Sequence, residues 1–268
     1  MGKISAVAKQ RYSDKVKKYK AEIEQMLVRE RSIVSTIHDG SADSGFKRLG
    51  LAEERLNLAS RYLLLNRVSV ALLGVRGEAF LNDARKSCYQ SVIFLEDVVS
   101  DLIDAGYSEY SEKLESIESV PDDARYKLAR KLGFTIEAVE QSFGDNSKWK
   151  WSFVELEGRF ATVSKNLLNM KTLIAGLDPR SEHYDERLAH LAMVKRLLQR
   201  AADRYRERYE LSTLRLDDFK LAIAHLAALR RLHLLLGESD SAETLKKRIE
   251  VWKQKMESDD KRESSHKR

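Results

Sequence analysis

The sequence predicts an all-α protein of long antiparallel helical hairpins, packed as a multi-helix bundle or an irregular α-solenoid. Apolar residues recur every three or four positions along almost the whole chain, which is the period of an amphipathic helix. No segment alternates apolar and polar residues with an excess of β-branched side chains, so we expect no sheet. Long helical stretches are joined by short polar turns, and short turns favour antiparallel neighbours.

Composition excludes several classes of protein. Hydrophobic residues make up 43% of the 268 residues, which is too much for a wholly disordered chain, and 2 prolines exclude a collagen-like or proline-rich protein. The single cysteine, Cys88, cannot form an internal disulfide. Its helical neighbours Ala84, Val92 and Leu95 predict that Cys88 is packed like a small hydrophobic residue.

No segment has the pattern of a signal peptide or a transmembrane helix. The first residues carry charge but no following apolar run, so we expect a cytoplasmic protein. The longest apolar stretch, Tyr62 to Val75, is interrupted by Asn66, Arg67 and Ser69 and is too short to span a bilayer. We therefore interpret it as part of a buried central helix.

Three long helices are predicted in the first part of the chain. The first ends at Asp39-Gly40, and the second, from about Gly45 to Val75, becomes apolar on all sides, as a helix enclosed by others does. The third stops at Gly106. The stripe of the first helix comprises Tyr12, Val16, Tyr19, Ile23, Met26, Ile33 and Ile37. The stripe of the third comprises Phe80, Ala84, Cys88, Val92, Leu95, Val99 and Leu102.

The middle of the chain is divided at Val120-Pro121. A short helix around Tyr110 to Ile117 comes before this point, because the residue before a proline is pushed out of helical geometry. Pro121 itself suits the first turn of the following helix. Beyond Gly144, apolar residues from Trp149 to Ile174 predict another helix, which is closed by Gly176.

Three further helices complete the predicted domain. Ser181 is the expected N-cap of a helix that runs to about Leu211, and the next helix spans Arg215 to Leu236. Asp240 and Glu243 have the spacing of a capping box for the last helix. Its buried face is predicted to comprise Leu245, Ile249, Trp252 and Met256. We expect one all-helical domain over residues 1–256, with a subdivision near 106–146 as an alternative, and a disordered charged tail over 257–268.

Charge is distributed unevenly along the chain, which has a net charge of +6. The segment from Glu96 to Asp123 contains ten acidic residues and one basic residue, a net charge of −9. The segment from Arg187 to Arg208 contains seven basic and two acidic residues, a net charge of +5. The sequence therefore predicts a strongly polarised surface.

Four arginines recur every fourth residue within the basic segment: Arg196, Arg200, Arg204 and Arg208. This spacing aligns them along one face of a helix, where like charges repel by a few tenths of a kcal/mol per pair. The charges are balanced locally by Asp203, Glu207 and Glu210, or internally by the acidic segment, or by an external anionic partner such as phosphate. We retain all three interpretations, with local neutralisation first.

Residues 128–139 (LARKLGFTIEAV) resemble a helix-turn-helix, with Ala129, then Gly133 at the turn, then Val139. The resemblance implies DNA binding through a segment over 124–143, although Glu137 and Glu140 would meet the DNA with negative charge. The same Leu-Gly-Phe sequence is similar to the turn of ubiquitin-associated modules, which bind protein. The first interpretation, however, is a simple turn between two helices at Gly133.

Two other patterns suggest contact surfaces. Bases and aromatic residues alternate from Lys148 to Phe153, as in proteins that bind single-stranded nucleic acid, but only Trp151 falls outside the apolar stripe. Trp151 is therefore a candidate contact residue, with packing against a neighbouring helix as the favoured alternative. Basic residues also surround the apolar face of the last helix, a pattern found in membrane-surface and groove-binding helices, but docking on its own bundle is favoured.

The sequence favours a non-catalytic interaction or scaffold protein that binds a protein partner through helix faces and charged patches. We identify no catalytic residues, no cofactor site and no metal site; Glu186, His183 and His190 lack a second set of ligands. The candidate partner-binding residues are Arg196, Arg200, Arg204, Arg208 and Trp151. The alternative is a nucleic-acid-associated protein using 196–208, helped by 124–143 or by the basic residues of the first helix, Lys15, Lys17, Lys18 and Lys20. A helical enzyme with a buried polar site and a homo-oligomer are also compatible with the sequence.

Overall fold

The computed structural model of the protein describes residues 4–38, 41, 43–144 and 149–266. Within these ranges the chain forms nine α-helices and no β-strand, which confirms the predicted all-α bundle. The helices are α1 (Ala6–Val34), α2 (Ser44–Leu73), α3 (Glu78–Val99), α4 (Ser111–Glu115), α5 (Asp122–Phe143), α6 (Lys150–Asn166), α7 (Tyr184–Arg208), α8 (Leu216–Leu235) and α9 (Ser239–His266). No helix in the described ranges is long and apolar enough to cross a membrane.

Left-handed backbone conformations end several helices. Gly74, with a φ of 65°, caps α2, and Gly144, with a φ of 79°, follows α5. Ser100 has a φ of 82°, so α3 ends at Val99 and not at Gly106 as the sequence predicts. The predicted end of the first helix at Asp39-Gly40 lies outside the described residues.

The chain divides into two compact units. Unit 1 comprises residues 1–98, 113–119 and 128–150, and unit 2 comprises 99–112, 120–127 and 151–268. In unit 1, α1 and α2 form an antiparallel hairpin around buried Ile23, Leu58 and Leu65. Ion pairs run along this hairpin in opposite residue order, since Glu22 contacts Arg61 at 3.3 Å and Arg29 contacts Glu54 at 3.2 Å.

In unit 2, α8 packs against both α7 and α9. Phe219 at the start of α8 is fully buried, and its ring lies 4.8 Å from that of Tyr209 and 5.8 Å from that of Trp252. Leu245, Ile249 and Trp252 are buried and Met256 packs against the same core, as predicted for the last helix. This aromatic cluster joins α8 and α9 to Tyr209, which directly follows α7, the helix that carries the four arginines.

The turn predicted at Gly133 is wrong, because α5 is one continuous helix from Asp122 to Phe143. A glycine inside a helix costs about 1 kcal/mol relative to alanine. Four apolar side chains on the same face of α5 are buried, and their burial outweighs this cost. These side chains are Ala129, Leu132, Ile136 and Val139. The chain over 124–143 therefore has neither a helix-turn-helix nor a ubiquitin-associated turn.

Other helix boundaries also differ from the sequence prediction: α7, for example, begins at Tyr184 with His183, not Ser181, as its N-cap. The predicted helix over Trp149 to Ile174 ends at Asn166, whose side-chain amide donates to the carbonyl oxygens of Ser100 at 2.9 Å and Leu102 at 3.3 Å. The apolar residues continue past this point because Leu168 and Leu173 of the following segment are buried in unit 2, although Ile174 is exposed.

The last helix extends beyond Met256 into the segment that the sequence predicts to be a disordered tail. α9 continues to His266. The hydroxyl of Tyr209 donates to Asp259 at 2.8 Å, and Lys255 pairs with Asp259 one turn away at 3.3 Å. The hydrogen bond from Tyr209, which only the fold supplies, thus supports helix in a polar sequence.

Candidate functional site

The arginine stripe of α7 lies beside an open groove in unit 2. The groove has a volume of about 740 Å³. Its lining residues are Lys195, Arg196, Gln199, Arg200, Asp203, Arg204, Glu207, Leu229 and His233. We call this surface the arginine groove. Arg196 is exposed and has no ion-pair partner among the residues that the structure describes.

One buried carboxylate on α6 holds two of the four arginines. Glu157 is 7% exposed and pairs with Arg200 through one oxygen and with Arg204 through the other, at 3.1 Å. The side chain of Arg200 nevertheless remains 55% exposed. Glu157 therefore anchors Arg200 at the edge of the groove while leaving much of its side chain accessible to a ligand.

The fourth arginine is directed away from the groove and into unit 2. Arg208 pairs with the buried Asp218, donates to the backbone oxygen of Trp151 at 3.4 Å, and its guanidinium lies 4.9 Å from the centroid of the Tyr205 ring. Asp218 also accepts from the hydroxyl of Thr213 at 2.6 Å. Arg208 is thus held by contacts within the unit.

Two carboxylates from outside the predicted sets pair with three of the four arginines of the stripe. The sequence pairs the stripe with Asp203, Glu207 and Glu210, or with the acidic segment 96–123. Arg206 does contact Glu210 at 3.0 Å, but Asp203 pairs with Arg248. Asp104 and Asp122 of the acidic segment pair instead with Arg231 and Arg187. Glu157 and Asp218 were missed because each is adjacent to apolar residues on a helix, where a carboxylate is expected at the surface.

Trp151, the other candidate, is half-buried and packs against the hydrophobic core of unit 2. Its neighbour in the predicted basic–aromatic pattern, Lys148, lies outside the described residues. In unit 1, the guanidinium of Arg85 lies 4.5 Å from the centroid of the Trp149 ring. The structure thus places Trp151 apart from the arginine groove and against its own unit.

The two histidines considered as metal ligands, His183 and His190, each contact other groups. His190 is buried, and its Nε2 lies 3.0 Å from the carbonyl oxygen of Ser164. His183 is the N-cap of α7, with a φ of 59°, and lies 3.6 Å from Glu182. Within the described part of the chain, no group of three or more His, Cys, Asp and Glu side chains is placed to hold a metal ion.

A buried polar row at the end of α6 was also missed by sequence reasoning. Ser164, Lys165 and Asn166 are each at most 4% exposed. The Nζ of Lys165 lies 5.2 Å from the centroid of the Tyr110 ring, and burial lowers the pKa of this lysine to about 8. Three consecutive polar residues normally indicate exposure, so no sequence signal identified the row.

We expect Lys165→Met to raise the free energy of unfolding by about 3 kcal/mol at pH 7. The pKa of Lys165 is lowered from 10.5 to about 8 because burial disfavours its charged form. Holding this lysine protonated therefore costs the native protein free energy relative to the unfolded chain, and this penalty is complete below pH 8. This penalty disappears as the pH rises from 8 to 10.5. Urea unfolding at pH 7 and pH 10 measures the gain, with exposed Lys253→Met as control. A variant that is less stable than wild type at pH 7 would contradict the expected sign.

The fold and the groove together define an all-α helical-bundle protein with an arginine-lined surface. The TP0443 family matches residues 8–260, which is nearly the whole chain, and the chain belongs to this family. No curated protein and no solved structure matches it.

Proposed function

We propose that this TP0443-family protein is a non-catalytic helical scaffold whose arginine groove binds an acidic segment of a protein partner. The observation that carries the proposal is the grouping of Lys195, Arg196, Arg200 and Arg204 along one open groove of about 740 Å³. Guanidinium groups bind carboxylates through paired, charge-assisted hydrogen bonds. Glu157 limits the movement of two of these groups, which lowers the entropy lost when a partner binds.

The composition of the groove favours a protein partner over a nucleic acid. Asp203 and Glu207 line the same surface as the arginines, and their carboxylates would repel a continuous phosphate backbone. A protein segment can match a surface of mixed charge and can place an apolar side chain against Leu229. We therefore place the nucleic-acid interpretation of 196–208 second.

Arg196→Glu is the variant that tests the groove. Reversing Arg200 or Arg204 would put a second carboxylate beside the buried Glu157 and would destabilise the unit, whereas Arg196 is exposed. We expect Arg196→Glu to weaken binding of a labelled Glu- and Leu-containing peptide about tenfold or more, measured by fluorescence anisotropy. Crosslinking and affinity isolation from the native host then identifies the proteins whose capture falls with the same substitution.

Lys247→Glu is the matched control, because Lys247 is an exposed basic residue within α9 and does not line the groove. This change should leave peptide binding and partner capture at the wild-type level. If Arg196→Glu retained every partner and bound the peptide as wild type does, the groove would not be the interface. Loss of duplex DNA binding in Arg196→Glu, without loss of a protein partner, would support the second interpretation instead.

A further inference from the structure

The net positive charge of the protein is concentrated in the first half of α1. From Lys9 to Lys20 the chain has six basic residues and one acidic residue, Asp14, which gives a net charge of +5. The whole chain has a net charge of +6, so the other residues together contribute only +1. We call the side chains of Lys9, Arg11, Lys15, Lys17, Lys18 and Lys20 the basic face of α1.

The basic face is unpaired, in contrast to the second half of the same helix. All six side chains are exposed, and none has an ion-pair partner within the described ranges. Further along α1, Glu22, Arg29 and Glu30 each pair with a residue of α2. The charges of the basic face are therefore available to a partner outside the hairpin.

Helical geometry arranges the basic face as two rows. At 3.6 residues per turn, Lys9, Lys17 and Lys20 fall on one side of the apolar stripe, and Arg11, Lys15 and Lys18 fall on the other. The apolar stripe is already packed within the hairpin, since Val16 and Tyr19 contact the core formed by Ile23, Leu58 and Leu65. The two rows thus border the side of α1 that faces away from α2.

The dimensions of this surface match the major groove of duplex DNA. A helix with its side chains is about 10–12 Å wide, and the major groove of B-form DNA is about 12 Å wide. The segment from Lys9 to Lys20 is about 17 Å long, a length over which duplex DNA presents about ten phosphates. Two rows of Lys and Arg side chains on opposite sides of one helix can therefore reach the phosphates of both DNA strands.

We propose that the basic face of α1 binds the phosphate backbone of double-stranded DNA without sequence preference. An anionic membrane is a poorer match, because a helix on a membrane buries its apolar stripe among the lipids, and here that stripe packs on α2. Duplex RNA is also a poorer match, since its major groove is deep and narrow. This proposal concerns unit 1 and is independent of the arginine groove in unit 2.

The test measures binding of the full chain to a labelled mixed-sequence DNA duplex by fluorescence anisotropy, over a range of salt concentrations. We expect binding at 50 mM salt and a steep linear fall of the logarithm of the affinity with the logarithm of the salt concentration. In the triple variant Lys17→Gln, Lys18→Gln, Lys20→Gln, the affinity at 50 mM salt should fall at least tenfold. The slope should become less steep by about 3, because each phosphate contact contributes about 0.9.

The matched control removes three exposed lysines from α9 by the changes Lys247→Gln, Lys253→Gln and Lys261→Gln. It makes the same change in net charge and should bind DNA within about threefold of wild type. Circular dichroism checks that both variants keep the helical fold. Each of three results would overturn the proposal: no DNA binding at 50 mM salt, an equal loss of affinity in both triple variants, or tighter binding to an RNA duplex or to phosphatidylglycerol vesicles than to DNA.

Discussion

Replacing Asp218 with alanine should lower the free energy of unfolding by about 3–5 kcal/mol, because it removes the counter-charge of a guanidinium that is itself largely buried. Asp218 is 5% exposed and accepts from Arg208 and Thr213. The side chain of Arg208 is only 15% exposed, so water cannot replace the lost carboxylate without opening the unit. Urea unfolding followed by circular dichroism measures the loss.

Asp217→Ala provides the control for this prediction. Asp217 is the adjacent residue in the first turn of α8, but its side chain is 85% exposed and pairs at the surface with Lys220. We expect this change to alter stability by less than about 1 kcal/mol. The double variant Arg208→Met with Asp218→Leu should recover most of the loss, since a buried ion pair can be replaced by apolar side chains. Equal effects of Asp217→Ala and Asp218→Ala would show that burial of the pair does not matter.

Acid should destabilise the protein as the pH falls from about 6.5 to 4, in part because His190 is buried as the neutral imidazole. Burial lowers the pKa of His190 from 6.5 to about 4. The unfolded chain therefore binds this proton at a higher pH than the native protein does, so the stabilisation is complete above pH 6.5 and is lost towards pH 4. This histidine alone accounts for about 3 kcal/mol. Burial also lowers the pKa of His225, which acts in the same direction.

His190→Gln separates this contribution from that of other acid-sensitive groups. The groups that face His190 are Asp122 and Arg125, whose charges oppose each other, and the ring of Tyr126 at 5.8 Å. A glutamine amide can still donate to the Ser164 carbonyl but does not titrate. We expect the variant to lose about 3 kcal/mol less than wild type between pH 7 and pH 4, measured by urea unfolding at each pH. Parallel stability profiles for the two proteins would show that His190 does not titrate in this range.

Helix-forming segments were predicted well because their signal is local. The spacing of apolar residues identified the core faces of the helices, and Cys88 is fully buried as predicted, with its pKa raised to about 12 by burial. The prediction of a turn at Gly133 was wrong because a local preference of about 1 kcal/mol was weighed without the burial of the surrounding apolar side chains. The helical state of residues beyond Met256 likewise depends on Tyr209, which is distant in sequence.

The candidate site was only partly accessible to sequence reasoning. The recurrence of arginine every fourth residue placed Arg196, Arg200, Arg204 and Arg208 on one side of a helix. It could not show that the stripe is divided, with Arg196 exposed and Arg208 held inside unit 2. That division depends on Glu157 and Asp218, which lie on other helices.

The sequence by itself determined that this chain is all helical, which side of each long helix is apolar, and where basic and acidic residues are dense. These properties depend on residues three or four positions apart, and helical geometry brings such residues together in any helix. Only the tertiary structure decided which charges are paired, which polar side chains are buried, and which basic surfaces remain open to a partner. Those outcomes depend on contacts between residues tens of positions apart, such as Glu157 with Arg200 and Tyr209 with Asp259, and on the exclusion of water where helices pack.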